Sequence, residues 1–210
     1  MSITKEVENY IMQNRTVRAG LKQGIINYSS LSRRLIKEIG LKKKDFDAVL
    51  IACRRLERKL KADISTERKI EEILSNSKLE IKTGIVVFII EKGTYFDYLL
   101  DIEKKVKKQK QVFQVIEGTG TITIITTNDF SEELRGLFKN DLIRENKGLA
   151  EITIKTSNAI ERTPGVLSYL YSLFGDHSIN IFETMSTWTD TLFVIDENDL
   201  EKAVRILRFR

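Results

Sequence analysis

The chain has one cysteine, one histidine, one proline and one tryptophan in 210 residues, and each scarcity removes a class of function. A single cysteine rules out a disulfide within the chain and fits a reducing cytoplasm. With one histidine beside it, no zinc or iron site of nitrogen and sulfur ligands can be assembled within one chain, so no metal is expected. A Ser/His/Asp triad would have to use His177, which sits between Asp176 and Ser178 in a helix-to-strand turn with no nucleophile motif near it. We therefore assign no catalytic residue and expect a protein that is not an enzyme. No apolar run reaches the length of a membrane span, and the N-terminus MSITKEVENY lacks the apolar region of a signal peptide; a cytoplasmic protein without a membrane partner is expected. The string EGTGTIT contains G-x-G, but it lies between two strands and opens no helix, so it reads as a hairpin and no dinucleotide cofactor is expected. Asp190, Asp196, Glu197 and Asp199 make an acidic cluster, but Asn198 with Glu201 three residues on reads as a helix cap with its reciprocal partner, and no metal site is assigned there.

Charged residues at 31% and apolar residues at 41% describe a globular chain. The charge is unevenly spread. Residues 1–78 hold 18 Lys/Arg against 10 Asp/Glu, residues 79–148 balance at 11 each, and residues 149–210 hold 6 against 9. A basic head on a neutral-to-acidic body is the distribution expected of a nucleic-acid-binding head on a sensing body.

Residues 1–78 read as all helical. Val7 and Ile11 open an amphipathic stretch, and Val17, Leu21 and Ile25 continue it after Asn14. Gly24 closes the second helix and Asn27 or Ser29 caps the third, which carries Leu31, Leu35 and Ile39 and stops at Gly40. The fourth has Phe46, Val49, Leu50, Cys53, Leu56 and Leu60 on its buried side, making Cys53 a structural thiol. Helix, short glycine turn, helix is the sequence form of a helix-turn-helix. The outward face of the fourth helix would carry Lys44, Asp47, Ala48, Ile51, Arg54, Arg55 and Arg58, and Lys43, Lys44, Arg54, Arg55 and Arg58 are the candidate nucleic-acid contacts. The same basic residues also suit the C-terminal end of a helix dipole, and such units serve equally as docking modules. Ser65 or Thr66 caps one more helix, with Ile70, Ile73 and Leu74 as its apolar side.

Residues 79–148 read as βαββαβ. GIVVFII is a central strand; a helix follows with Phe96, Leu99, Leu100, Glu103 and Val106 along one side; QVFQVIE and TITIITT form a hairpin; Asp129 caps a short helix; and LIREN is a last strand. Residues 149–210 repeat the order from LAEITIKTS. Pro164 and Gly165 lead into a helix with Val166, Leu167, Leu170, Leu173 and Phe174 at helical spacing, closed by Gly175 and Asp176. Trp188 falls at a β-turn, where packing or an interface is the expected role. Only RFR follows the last helix, so the fourth strand is truncated, and its place on the sheet edge is expected to be taken by another chain or by residues 79–83.

TPGVL, a helix, INI and then TLFVIDENDLEKAV resemble the ACT domain, a ligand-sensing module of amino-acid metabolism, and are most similar to the last ACT repeat of aspartate kinases. With GIINYSSLSRR in the head, the whole chain resembles archaeal proteins described as predicted regulators of amino-acid metabolism. The resemblance implies an α+β protein. A helix-turn-helix-like domain at 1–78 is followed by two ferredoxin-like ACT-like domains, a degenerate one at 79–148 lacking the Pro-Gly and a better-preserved one at 149–210. It also implies an amino-acid effector at an ACT–ACT interface, held by Asn158, Thr163, Pro164, Gly165, Val166 and Leu167, with Asn180 and Ile181 coming from a neighbour's strand. N–H groups at a helix start suit the carboxylate of a zwitterion. The expected function is a ligand-responsive regulator acting on DNA, assembled as a homodimer or higher even oligomer. The alternatives are a non-catalytic regulatory subunit docked on a biosynthetic enzyme and a structural dimer without ligand.

Overall fold

The computed structural model describes residues 2–209 apart from Asp63, Thr94 and Tyr95, with the side chains at 62, 64–66, 96 and 97 also outside the described set. The caps read at Ser65 or Thr66 and the placement of Phe96 fall on those side chains. The chain divides into two compact units, Met1–Lys69 and Ile70–Arg210.

The first unit holds α1 (Ile3–Gln13), α2 (Arg15–Gln23), α3 (Tyr28–Ile39) and α4 (Phe46–Ala62). The punctuation expected from the sequence is present. Asn14 separates α1 from α2, and Gly24 and Gly40 end α2 and α3 in the left-handed region. The Asn27 side chain accepts from the Ser30 N–H at 3.0 Å, capping α3. α4 packs against α1, α2 and α3, and Val7, Ile11, Leu21, Leu35, Val49, Cys53 and Leu56 form the core between them. Burial pushes the Cys53 thiol up to about 11, so it is a poor nucleophile. Phe46 departs from the expected pattern: it is half-buried and stands outside this core.

The second unit is mixed α+β. Its strands are β1 (Lys78–Glu91), β2 (Phe113–Glu117), β3 (Thr121–Thr127), β4 (Leu142–Lys155), β5 (Ile181–Thr187) and β6 (Asp190–Asp196). Its helices are α5 (Ile64–Ser75, which the division between units crosses), α6 (Phe96–Lys108), α7 (Ser131–Leu137), α8 (Val166–Asp176) and α9 (Leu200–Ile206). All pairings are antiparallel, in the order β2-β3-β1-β4-β6-β5.

The two expected ferredoxin-like domains are thus one continuous sheet, because β1 and β4 each serve both halves. Lys78–Lys82 pair with Lys155–Glu151, and Ile85–Ile90 pair with Leu149–Leu142. LIREN and LAEITIKTS, read as separate strands, are the two ends of β4. The handover falls at register shifts beside Gly84 (φ 66°) and Gly148 (φ 68°), where glycine accepts the left-handed backbone that a bulge requires. The truncated last strand of the second half is replaced from within the chain by residues 78–82, so the edge that suggested a second copy is already paired.

Alternation along the strands makes two faces. Val86, Phe88, Ile90, Ile122 and Ile124 pack with α6 and α7 through Leu99, Ile102, Val106, Leu134 and Phe138. Leu99 and Val106 are buried on the expected side of α6, but Ile102 joins them and Leu100 is exposed. Ile152, Ile154, Phe193 and Ile195 pack with α5, α8 and α9 through Ile73, Leu74, Leu170, Phe174 and Leu207. The apolar side of α5, read as part of the helical domain, therefore belongs to this core. The intervening residues Ile85, Val87, Ile125, Leu149, Leu192 and Val194 form a third cluster on the opposite face. The sheet curls around that cluster: Gln114 on β2 donates to Glu151 on β4 at 3.3 Å, although β3 and β1 lie between those strands. No helix among the described residues is long and apolar enough to cross a membrane.

Candidate functional site

The cleft of the second unit is built on the segment from Asn158 to Leu167. A 3₁₀ turn, Asn158–Arg162, follows β4, and the Thr163 hydroxyl donates to the Ala159 carbonyl at 2.9 Å, tying the loop to that turn. Pro164 then precedes Gly165, which is the N-cap of α8 at φ 99°. Pro164 stands before the cap, because α8 begins at Val166. Glycine at the N-cap has no side chain to offer the first-turn N–H groups, so a ligand can take them.

Facing this loop are Ser186 on β5 and Trp188 in the β5–β6 turn. With Ile160, Glu161, Arg162, Thr163, Pro164, Gly165, Val166 and Leu167 they line a cleft of about 470 Å³. Thr163 to Leu167 are therefore brought together. Asn158 starts the 3₁₀ turn and is exposed, outside the lining, and neither Asn180 nor Ile181 of the same chain lines the cleft; Ile181 packs against the α8 core.

Trp188 is the residue whose place in the site the sequence does not reveal. It is 70% exposed and has φ 38°. A hairpin loop of two residues, Trp188 and Thr189, wants glycine or asparagine at such an angle, and tryptophan holds it at a local cost. The signal available in the sequence is the tight spacing of TWTD, with a bulky residue where a turn former belongs. His177 remains a surface turn residue, with Nδ1 2.8 Å from the Leu173 carbonyl oxygen. One further cap differs. The Asp196 side chain, not Asn198, receives the N–H of the last 3₁₀ turn, at 2.9 Å from Asn198.

In the first unit the expected outward face of α4 is exposed, with Asp47, Ala48, Ile51, Arg54, Arg55 and Arg58 all at the surface beside Lys43 and Lys44. Arg54 already lies over the Tyr28 ring, 5.7 Å from its centroid. Lys43 and Lys44 precede the helix, about 15 Å of helical rise before Arg54, so the cations form two groups and not one cluster. Among the described residues no group of three His, Cys, Asp or Glu side chains could hold a metal ion.

Residues 145–208, which contain the whole cleft, match the ACT domain family. Among solved structures the chain is similar to the aspartate kinase of Clostridium acetobutylicum, described as an allosteric enzyme, at 14% identity and a TM-score of 0.53. That match covers 63% of this chain and 34% of the kinase, so this chain spans about a third of that kinase's length. It is also similar to the ligand-free regulatory subunit of aspartate kinase from Thermus thermophilus, at 12% identity and a TM-score of 0.48 over 62% of this chain and 95% of that one. Aspartate kinase from Synechocystis aligns at 16% identity and a TM-score of 0.48, over 61% of this chain and 26% of that one. The first of these likenesses supports an ACT-like fold for the second unit. Comparison with curated proteins gives no match.

Proposed function

We propose that the chain is a non-catalytic, ligand-responsive regulator whose effector is a free amino acid bound in the cleft at residues 160–167. One observation carries the reading: inside the segment that matches the ACT domain, an uncapped helix start opens into a cleft walled by an exposed tryptophan. The N–H groups of Val166 and Leu167 suit the effector carboxylate, Glu161 suits its ammonium, and Trp188 covers an apolar side chain. A positive φ on a bulky, exposed residue has no packing return within the chain, which supports a role in binding.

The test is a thermal-shift screen against the twenty amino acids. A site filled at 100 times its dissociation constant adds roughly 2.7 kcal/mol. At least one amino acid should raise the melting temperature; a flat screen at millimolar concentrations contradicts the reading.

For the output we assign a helix-turn-helix role to α3 and α4, with Arg55, Arg58 and Lys44 meeting DNA phosphates, because the basic face of α4 and the residue leading into it are exposed. Effector and DNA need be coupled by only about 1–3 kcal/mol. The edge strands β2 and β5, each paired on one side within the chain, are where a second copy would extend the sheet into a homodimer.

A further inference from the structure

A second concave surface lies in the first unit, where α3 turns into α4. Arg33, Ile36, Lys37 and Gly40 line it along α3, and Leu41, Lys43 and Phe46 complete it, enclosing about 830 Å³. Two local facts keep it open. Gly40 ends α3 at φ 77°, and a Cβ there would meet open space. Phe46, the first residue of α4, stays outside the core and is only half-buried.

The chemistry of the groove is divided. Its floor is Ile36, Leu41 and Phe46, its rim is Arg33, Lys37 and Lys43, and no acidic side chain is among the residues that line it. Among the described residues, Arg33, Lys37 and Lys43 form no ion pair, whereas Arg34 on the same helix is held by Glu38 at 2.7 Å. Arg33 and Lys37 stand one turn apart, about 6 Å along the helix, and Lys43 stands beyond the Gly40 turn. A single small carboxylate would meet one cation and leave the others. A duplex backbone offers phosphates but nothing to fill an apolar floor. A helix with carboxylates one turn apart beside bulky apolar residues meets both demands.

We propose that this groove is a docking site for an acidic amphipathic helix of a partner protein. Its apolar residues at i, i+3 and i+4 would enter over Ile36, Leu41 and Phe46, and its carboxylates would pair with Arg33, Lys37 and Lys43. The site is separate from the cleft at 160–167 and does not depend on an amino acid binding there.

The experiment titrates the full-length protein with four probes: an acidic amphipathic helical peptide of Leu and Glu, a peptide of the same composition in shuffled order, a basic amphipathic peptide, and a DNA duplex. Binding is read by fluorescence anisotropy and by amide chemical shifts. The acidic amphipathic peptide should bind saturably and shift the amides of Ile36, Lys37, Gly40 and Leu41, and the shuffled peptide should bind about tenfold more weakly. The double variant Arg33→Glu, Lys37→Glu changes only exposed positions, so it should keep its helical circular dichroism while losing the acidic peptide and gaining the basic one. Equal binding of the shuffled peptide would overturn the proposal by reducing the groove to bulk charge. A duplex that shifts the same amides and displaces the peptide would overturn it in favour of a nucleic-acid surface.

Discussion

The δ-methyl of Ile70 lies 3.3 Å from where a Cβ on Gly165 would stand, and Gly165 sits at φ 99°. The backbone and the α5 packing together thus require glycine at the mouth of the cleft. Gly165→Ala should lose roughly 1–2 kcal/mol from the left-handed strain alone, and Gly165→Val more, as read by urea unfolding. A Gly165→Val protein as stable as the parent would contradict this geometry. The glycine is therefore an unsuitable position for probing the ligand, because fold and site would fail together.

Trp188 is the cleaner probe. Replacing it with glycine relieves its φ of 38° and removes an exposed wall of the cleft. Trp188→Gly should change unfolding free energy by no more than about 1 kcal/mol while abolishing stabilisation by any amino acid that protects the parent. An undiminished response in the variant would remove Trp188 from the site.

The pairing of Lys78–Lys82 with β4 predicts slow amide exchange in a polar segment that precedes the apolar run GIVVFII. Amides of residues 79–82 that bond to β4 should exchange far more slowly than those of the exposed bend at Thr119 and Gly120. Exchange at open-loop rates would show that the sheet edge is bare.

Much of this was legible in the chain because local chemistry decides it. Asn27, Gly24 and Gly40 punctuate the helices where their side chains or lack of them dictate, and the apolar spacing of α4 and α8 marks their buried faces. The sharing of β1 and β4 was not legible, because a bulge at Gly148 looks in sequence like a break between two strands. The truncated last strand did point to residues 79–83 or another chain as the cover for the edge, but the choice of KLEIK over another chain as the partner of residues 151–155 is a long-range one that no local pattern encodes. In the cleft, the loop Thr163–Leu167 was readable from Pro164 and Gly165. Ser186 and Trp188 were not, since only the β5–β6 register carries them to the same place.

Glu145 and Glu151, both on β4, should respond to pH with opposite signs. Arg135 donates to both oxygens of Glu145, Nε at 3.1 Å and Nη2 at 2.8 Å, and holds its carboxyl below the usual range. That pair contributes stability above the unfolded pKa and loses it as pH falls through the folded one. Glu151 is 2% exposed, and burial pushes its carboxyl up, so its charge opposes folding as pH rises past the unfolded pKa. Glu145→Gln should therefore be less stable than the parent at neutral pH, with the gap closing in acid. Glu151→Gln should be at least as stable as the parent at neutral pH and lose any advantage in acid. Thermal unfolding across that range checks both signs, and parallel profiles would refute the assignment.

Neutralising Arg55 and Arg58 on the exposed face of α4 should weaken binding to any duplex. The salt dependence should flatten by about 0.9 in log–log slope for each phosphate that the variant no longer neutralises. Gel retardation at several salt concentrations reads this directly. A slope identical to the parent's would place DNA binding elsewhere or nowhere.

Occupancy of the cleft by an amino acid is read most directly by amide chemical-shift mapping with the amino acid that gives the largest thermal shift. Gly165, Val166 and Leu167 should move most, with the Trp188 indole N–H, and the shifts should saturate together with one dissociation constant. Saturable shifts confined to other residues, with the amides of Thr163 and Gly165 to Leu167 and the Trp188 indole unmoved, would contradict a site in this cleft.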